Sequence, residues 1–176
     1  MASQAGVLRS LVSQPLSQIP EGMSILLPVR LSSLCRWTGQ GGRPESPGSA
    51  PTAEPQIGVD LVAVSRLRQV FEGKGELLEA VFTAEERRYC GRQRRPFMHL
   101  AARFAAKEAV LKGLGTGLTA EMTWRDIETV HGPRGEPRLI LYGEVARLAG
   151  ARGLHRCAVS LSHAGDYAVA AVLFAA

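Results

Sequence analysis

The sequence predicts an α+β domain over residues 56–176, preceded by an extension of different character over residues 1–55. Three observations carry this. "QIGVDLVAV" alternates apolar and other residues at period two, as a strand does, whereas "RFAAKEAVLKGLGTG" has helical composition and ends in glycines. The chain closes on "CAVSLSH" and "YAVAAVLF", two strand-like runs around the turn "AGD". Strands and helices are therefore mixed without the strict alternation of a doubly wound sheet.

The elements follow in order. In the first strand Ile57, Val59 and Leu61 share one face and Gly58 and Asp60 the other. Leu67, Val70 and Phe71 have helical spacing, which predicts a helix over 65–71. "FTAEERRYC" opens another, with Thr83 as N-cap and Glu86 three residues on in the capping-box arrangement. The longest helix is predicted over 97–114, with Leu100, Phe104, Leu111 and Leu114 on one stripe at about 100° per residue. Lys107 falls inside that stripe, which predicts that its stem packs while its amine reaches outward. "WRDIETVHGPRGEPRLILY" reads as a hairpin, and a helix over 143–151 leads to the closing strands.

The extension contains "GQGGRPESPGSAPTAEP", too poor in large apolar residues to offset the entropy of ordering, and reads as a linker. The residues before it carry Arg9, Arg30 and Arg36, many serines and the single acid Glu21. That composition fits an organellar transit peptide, a disordered extension, or sequence upstream of a start at Met23. The 176 residues have a formal charge of +5, which points to an acidic partner. Cys35, Cys90 and Cys157 lack the paired spacing of a zinc site or disulfide framework, implying a reducing compartment. The terminal "AVAAVLFAA" is about half the length needed to span a bilayer and reads as a buried strand.

Several residues admit both a structural and a chemical role. Glu108 and Lys112 have the spacing of a solvated helical ion pair, yet Ala101 and Ala105 leave room beside them for a ligand. Asp60 sits among apolar residues and needs a partner: it is either a helix N-cap or, with Glu108, part of the oxygen set that a hard cation such as Mg²⁺ requires. Gly113, Gly115 and Gly117 follow a helix, so they fit neither a Walker loop nor a dinucleotide fingerprint. They form either a helix cap or a backbone approach to an anion beside Lys112. His163 ends a strand, as a loop histidine or a ligand. The run "ERRYCGRQRRP" reads as a solvated helix end in preference to a nucleic-acid contact.

Taken together and in this order, "GVDLVAVSRL", "FTAEE", "ARFAAKEAVLKGLGTG", the "RGEP" turn and "VSLSHAGDYAVA" resemble the holo-acyl-carrier-protein synthase family of 4'-phosphopantetheinyl transferases over about residues 57–174. The resemblance implies a small α+β fold, commonly a homotrimer with sites between subunits. It implies transfer of phosphopantetheine from coenzyme A to a serine of an apo, acidic acyl carrier protein, with release of adenosine 3',5'-bisphosphate. By motif position it assigns Asp60 and Glu108 to Mg²⁺ and Lys112 to the transferred phosphoryl group. Arg103, Lys112, Gly115, Gly117, Pro137, Ser162 and His163 would contact coenzyme A, and Arg66 the carrier. Glu108, or a water it orients, is the expected base. The hairpin turn departs from the family in carrying Arg134 and Glu136 where Asn and Lys are commoner. The expected location is cytoplasmic, or an organelle if the extension targets one, with neither nucleic acid nor membrane as partner. The alternative is a non-catalytic module that binds coenzyme A or an acidic protein.

Overall fold

A computed structural model describes residues 54–176. Cys35, the linker up to residue 53 and the segment whose composition fits a transit peptide lie outside the described residues. Strand β1 (Gln56–Ala63) pairs antiparallel along its whole length with β5 (Tyr167–Ala175), whose other edge pairs antiparallel with β4 (Arg156–Ala164). The last strand is thus central, in the order β1-β5-β4. A separate hairpin joins β2 (Ile127–His131) to β3 (Pro137–Leu141). The helices are α1 (Val64–Phe71), α2 (Gly75–Val81), α3 (Ala84–Gly91), α4 (Pro96–Gly113) and α5 (Gly143–Ala151). This is the α+β architecture that the period-two and helical runs predict.

Proline at the first turn of α4 costs no hydrogen bond there, and the 18-residue helix then crosses β1 and β5. Its backbone comes unusually close to β1. A Cβ added at Gly58 would lie 1.9 Å from the Ala109 carbonyl oxygen and 2.6 Å from the Gly113 nitrogen, so only glycine fits. Alanines at 101, 102, 105, 106 and 109 keep the helix slim enough for this approach, and all five are buried.

The faces of β1 are as the alternation predicts, but their environments invert the usual rule. Ile57, Val59 and Leu61 are 54%, 51% and 44% exposed, while Gly58 and Asp60 face α4. Close helix packing selects the small and the chemically active residues for the inside. The apolar outer face continues through Leu173 on β5, 47% exposed.

Helix α4 is buried nearly all round, which overturns the single stripe expected of it. Leu100, Phe104, Leu111 and Leu114 are buried, but so are Ala101, Ala105, Ala106, Ala109 and Val110 on other faces, because the sheet, α3 and the hairpin all pack against it. Phe104 meets Phe71 at 6.4 Å and Trp124 at 5.1 Å between ring centroids. Helix α2 has no counterpart in the sequence reading. It has seven residues, starts at a glycine and lacks a side-chain cap, so its local signal is weak. The segment Trp124–Asp126 is a single 3₁₀ turn leading into β2, with Asp126 capping Thr123.

The expectation that the Lys107 amine reaches outward is also wrong. Lys107 is fully buried, its Nζ 2.8 Å from Glu86 Oε2, and it donates to the carbonyls of Trp124, at 3.1 Å, and Ile127. The predicted capping box explains how an acid reaches that position. Thr83 Oγ1 accepts from the Glu86 amide and the Thr83 amide donates to Glu86 Oε2, while Glu86 Oε1 accepts from the Thr129 amide at 3.0 Å. One carboxylate therefore ties α3, α4 and β2 together.

Candidate active site

Gly58 brings β1 against α4, and two residues on, along the same face, Asp60 meets the C-terminal half of that helix. Asp60 is 4% exposed, and Lys112 Nζ donates to its Oδ1 at 2.7 Å. Two of the structural alternatives fall here. Asp60 is not an N-cap, since the residue at that position of α1 is Ala63, with no side-chain cap. Lys112 pairs with Asp60 across elements, and among the described residues no Glu108 to Lys112 bridge lies within 4.0 Å.

Burial pushes the Asp60 carboxyl above its usual value, while the bond and charge of Lys112 and the Leu61 amide oppose the rise. Burial pushes Glu108 up to about 7, the charge of Asp60 adds to this, and Lys112 opposes it. Two carboxyls thus lie in the field of one ammonium in partly buried surroundings, and ionising both favours a cation. Two hard oxygen donors are the protein share that Mg²⁺ takes when waters and phosphate oxygens fill its other positions. No group of three or more candidate metal-ligating side chains occurs among the described residues, so a site here needs its ligand to complete it.

The glycine exit from α4 is a cap. Gly115 has φ +64° and donates to the Lys112 carbonyl at 2.9 Å, Thr116 donates to that of Leu111 at 3.1 Å, and Gly117 has φ +69°. Both glycines are exposed, so a ligand at Lys112 can still meet this backbone.

Toward the other end of α4, Arg103 is 2% exposed and stacks over Tyr89, its Cζ 4.3 Å from the ring centroid. It donates to the His99 carbonyl at 3.2 Å and lies 3.5 Å from His131 Nε2. Tyr89 stacks on His131 at 4.0 Å and meets His99 edge-on at 5.8 Å, and His99 meets His163 at 6.2 Å. His163 lies within β4 near its end, on the face turned to α4. Pro137 pairs with His131 across the hairpin. Ser162, one residue from His163, points to the opposite, outer face and is not brought to this cluster. Arg66 lies partly exposed on α1.

Tyr89, His99 and His131 belong to this cluster, and sequence reasoning assigned none of them a site. The one local signal was the spacing of His99 and Arg103, four apart on a helix; His131 reaches them only through the hairpin. In the arginine-rich run, Arg87 pairs with Glu79 at 2.6 Å and Arg88 with Glu85, as a solvated helix end would.

Comparison with known proteins agrees with this geometry. Residues 56–172 match the model of the 4'-phosphopantetheinyl transferase superfamily. A holo-[acyl-carrier-protein] synthase of Syntrophotalea carbinolica is 50% identical over 119 residues, covering 67% of this chain and 93% of the relative. One of Geobacter sulfurreducens is 48% identical over 117 residues, covering 66% and 93%. Among solved structures, the holo-[acyl-carrier-protein] synthase of Neisseria meningitidis superposes with TM-score 0.62 at 29% identity, covering 68% of this chain and 96% of that one. A synthase from Chronobacterium ammoniagenes, solved as a complex with coenzyme A, gives 0.59 at 33% identity, covering 69% and 97%. With its motif residues gathered along α4 and the relatives aligned over nearly their full length, the chain belongs to the 4'-phosphopantetheinyl transferase superfamily, in its holo-[acyl-carrier-protein] synthase group.

Proposed function

We propose that Asp60, Glu108 and Lys112 form the centre at which this transferase moves the 4'-phosphopantetheine group of coenzyme A to a serine of an apo acyl carrier protein. The carrying observation is the Lys112 to Asp60 ion pair beside Glu108, whose carboxyl is held near neutrality. Phosphoryl transfer depends mostly on positioning and charge neutralisation, and these residues supply both. The serine oxygen forms a bond to the phosphorus that carries pantetheine, and the bond from that phosphorus to the bridging oxygen breaks. Adenosine 3',5'-bisphosphate leaves with the bridging oxygen. Lys112 offsets charge that develops on the phosphoryl oxygens, and Glu108, or a water it orients, accepts the serine proton. Asp60 and Glu108 would hold Mg²⁺, which supplies Lewis-acid neutralisation of the diphosphate when bound. Arg103, His163, Gly115, Gly117 and Pro137 would contact coenzyme A.

The outer sheet face supports self-association. Ile57, Val59, Leu61 and Leu173 make a continuous exposed apolar surface, of the kind that monomeric proteins rarely leave open. We assign it to contact with further copies of the chain in a homotrimer, and Ser162 lies on that same face. Arg66 would meet the acidic carrier. No helix of the described residues is long and apolar enough to cross a membrane. The function accords with a cytoplasmic enzyme, or an organellar one if residues 1–55 direct it there.

The test is Mg²⁺-dependent loading of apo carriers of fatty-acid and polyketide type from coenzyme A. Mass gain on the carrier serine is expected. Absence of product with every carrier, from folded protein that binds coenzyme A, would make the chain a binding module instead.

A further inference from the structure

The transfer centre accounts for the C-terminal half of α4 and leaves the buried charge nearer its start without a partner. Arg103 has no carboxylate within 4.0 Å among the described residues, and its Nε makes no hydrogen bond. A guanidinium does not shed its proton, so burying one without an anion is unfavourable. The cluster is completed by an anion from outside the chain. A helix rises about 1.5 Å per residue, which puts Arg103 roughly 7 Å and His99 roughly 13 Å along α4 from Glu108. One diphosphate cannot lie at both ends, so the anion here is a separate phosphate of the same ligand.

Building on the transferase function above, we infer that His99 and His131 join Arg103 and His163 in holding the phosphomonoester of coenzyme A, and that its binding is coupled to proton uptake by these two imidazoles. The geometry of the anion-free chain supports the coupling. Arg103 can only donate, so the 3.5 Å contact of its Nη2 with His131 Nε2 is a hydrogen bond only where that nitrogen keeps a bare lone pair and the ring is neutral. The groups acting on His99 are Arg103 on its own helix, His131 from β2 and His163 from β4; with burial as the leading cause, all hold it below its usual value. Burial and Arg103 hold His131 down likewise, opposed by Glu85 of α3. Tyr89 contributes a ring to both, and the neighbouring Cys90 thiol, pushed up to about 11 mainly by burial, brings no charge. A phosphate dianion among these rings reverses the repulsion, so each ring gains affinity for a proton when the anion arrives. The affinity therefore rises as pH falls, until the phosphate itself takes a proton near pH 6.

The experiment is calorimetric titration of the full chain with coenzyme A at pH 6.5, 7.5 and 8.5, in buffers of differing ionisation enthalpy, repeated with dephospho-coenzyme A. Uptake of one proton per ligand means about a tenfold gain in affinity per pH unit. Expected is net proton uptake with coenzyme A, little with the dephospho form, and a slope flattened to within about twofold in the His99→Phe/His131→Phe variant. Both rings are at least partly exposed, so this variant keeps its core, and circular dichroism checks that it is folded. Binding without proton uptake, or equal uptake in the double variant, overturns the inference and leaves the transferase function standing. Absence of coenzyme A binding at every pH by folded protein overturns both.

Discussion

Lys107 Nζ lies 2.8 Å from Glu86 Oε2 with neither side chain exposed, so a full ion pair occupies the core between α3, α4 and the hairpin. Burial lowers the affinity of the amine for its proton, and the charge of Glu86 opposes this. Removing one partner strands the other charge. Lys107→Met is expected to cost about 3–5 kcal/mol, whereas Lys107→Met with Glu86→Gln recovers most of that, read from urea midpoints. A double variant no more stable than the single one would contradict the pairing.

Gly58→Ala puts a methyl group 1.9 Å from the Ala109 carbonyl, and backbone on both sides must move. A loss of about 1–3 kcal/mol is expected in thermal unfolding. Because Asp60 rides on the same strand, transfer activity should fall at least about tenfold even at temperatures where the variant is folded. Retained activity would separate the Gly58 contact from the placement of Asp60.

The Glu108 carboxyl titrates at about 7 in the folded chain against 4.5 for its ordinary value. The folded state holds this proton more tightly, so the associated stability is fully present below pH 4.5 and is lost as pH rises through about 7. In metal-free protein with chelator present, Glu108→Gln should remove a decline on the order of 3 kcal/mol over that interval. Added Mg²⁺ should restore stability at pH 8 in the wild type more than in the variant, read as a shift in melting temperature.

Val59→Asp with Leu61→Asp places two charges on the outer sheet face without touching the core, since both side chains are exposed. If that face joins copies of the chain, light scattering should show an oligomer for the wild type and a monomer for the variant. An unchanged mass would move the interface elsewhere.

Much of the fold was legible in particular residues. Thr83 and Glu86 announced the start of α3 because a capping box is a contact between residues three apart, and both of its hydrogen bonds form. Alternation in β1 gave its two faces correctly. Which face is buried was not legible, because it depends on a helix some fifty residues away approaching closely enough to exclude every side chain at Gly58. In the site, Asp60, Glu108 and Lys112 were named from motif and residue type, but helical spacing offered the wrong partner for Lys112.

The sequence by itself therefore determined the family and every helix and strand but the short α2, and it singled out Asp60, Glu108 and Lys112 as site candidates, since these rest on local periodicity, capping and motif order. Tertiary structure alone decided who meets whom. Lys107 finds Glu86 only once the capping box turns its carboxylate inward, and Arg103 gathers Tyr89, His99, His131 and His163 from three other segments and its own helix. The physical reason is that a buried charge is satisfied through space, by whatever partner the packing of distant segments brings within a few ångströms.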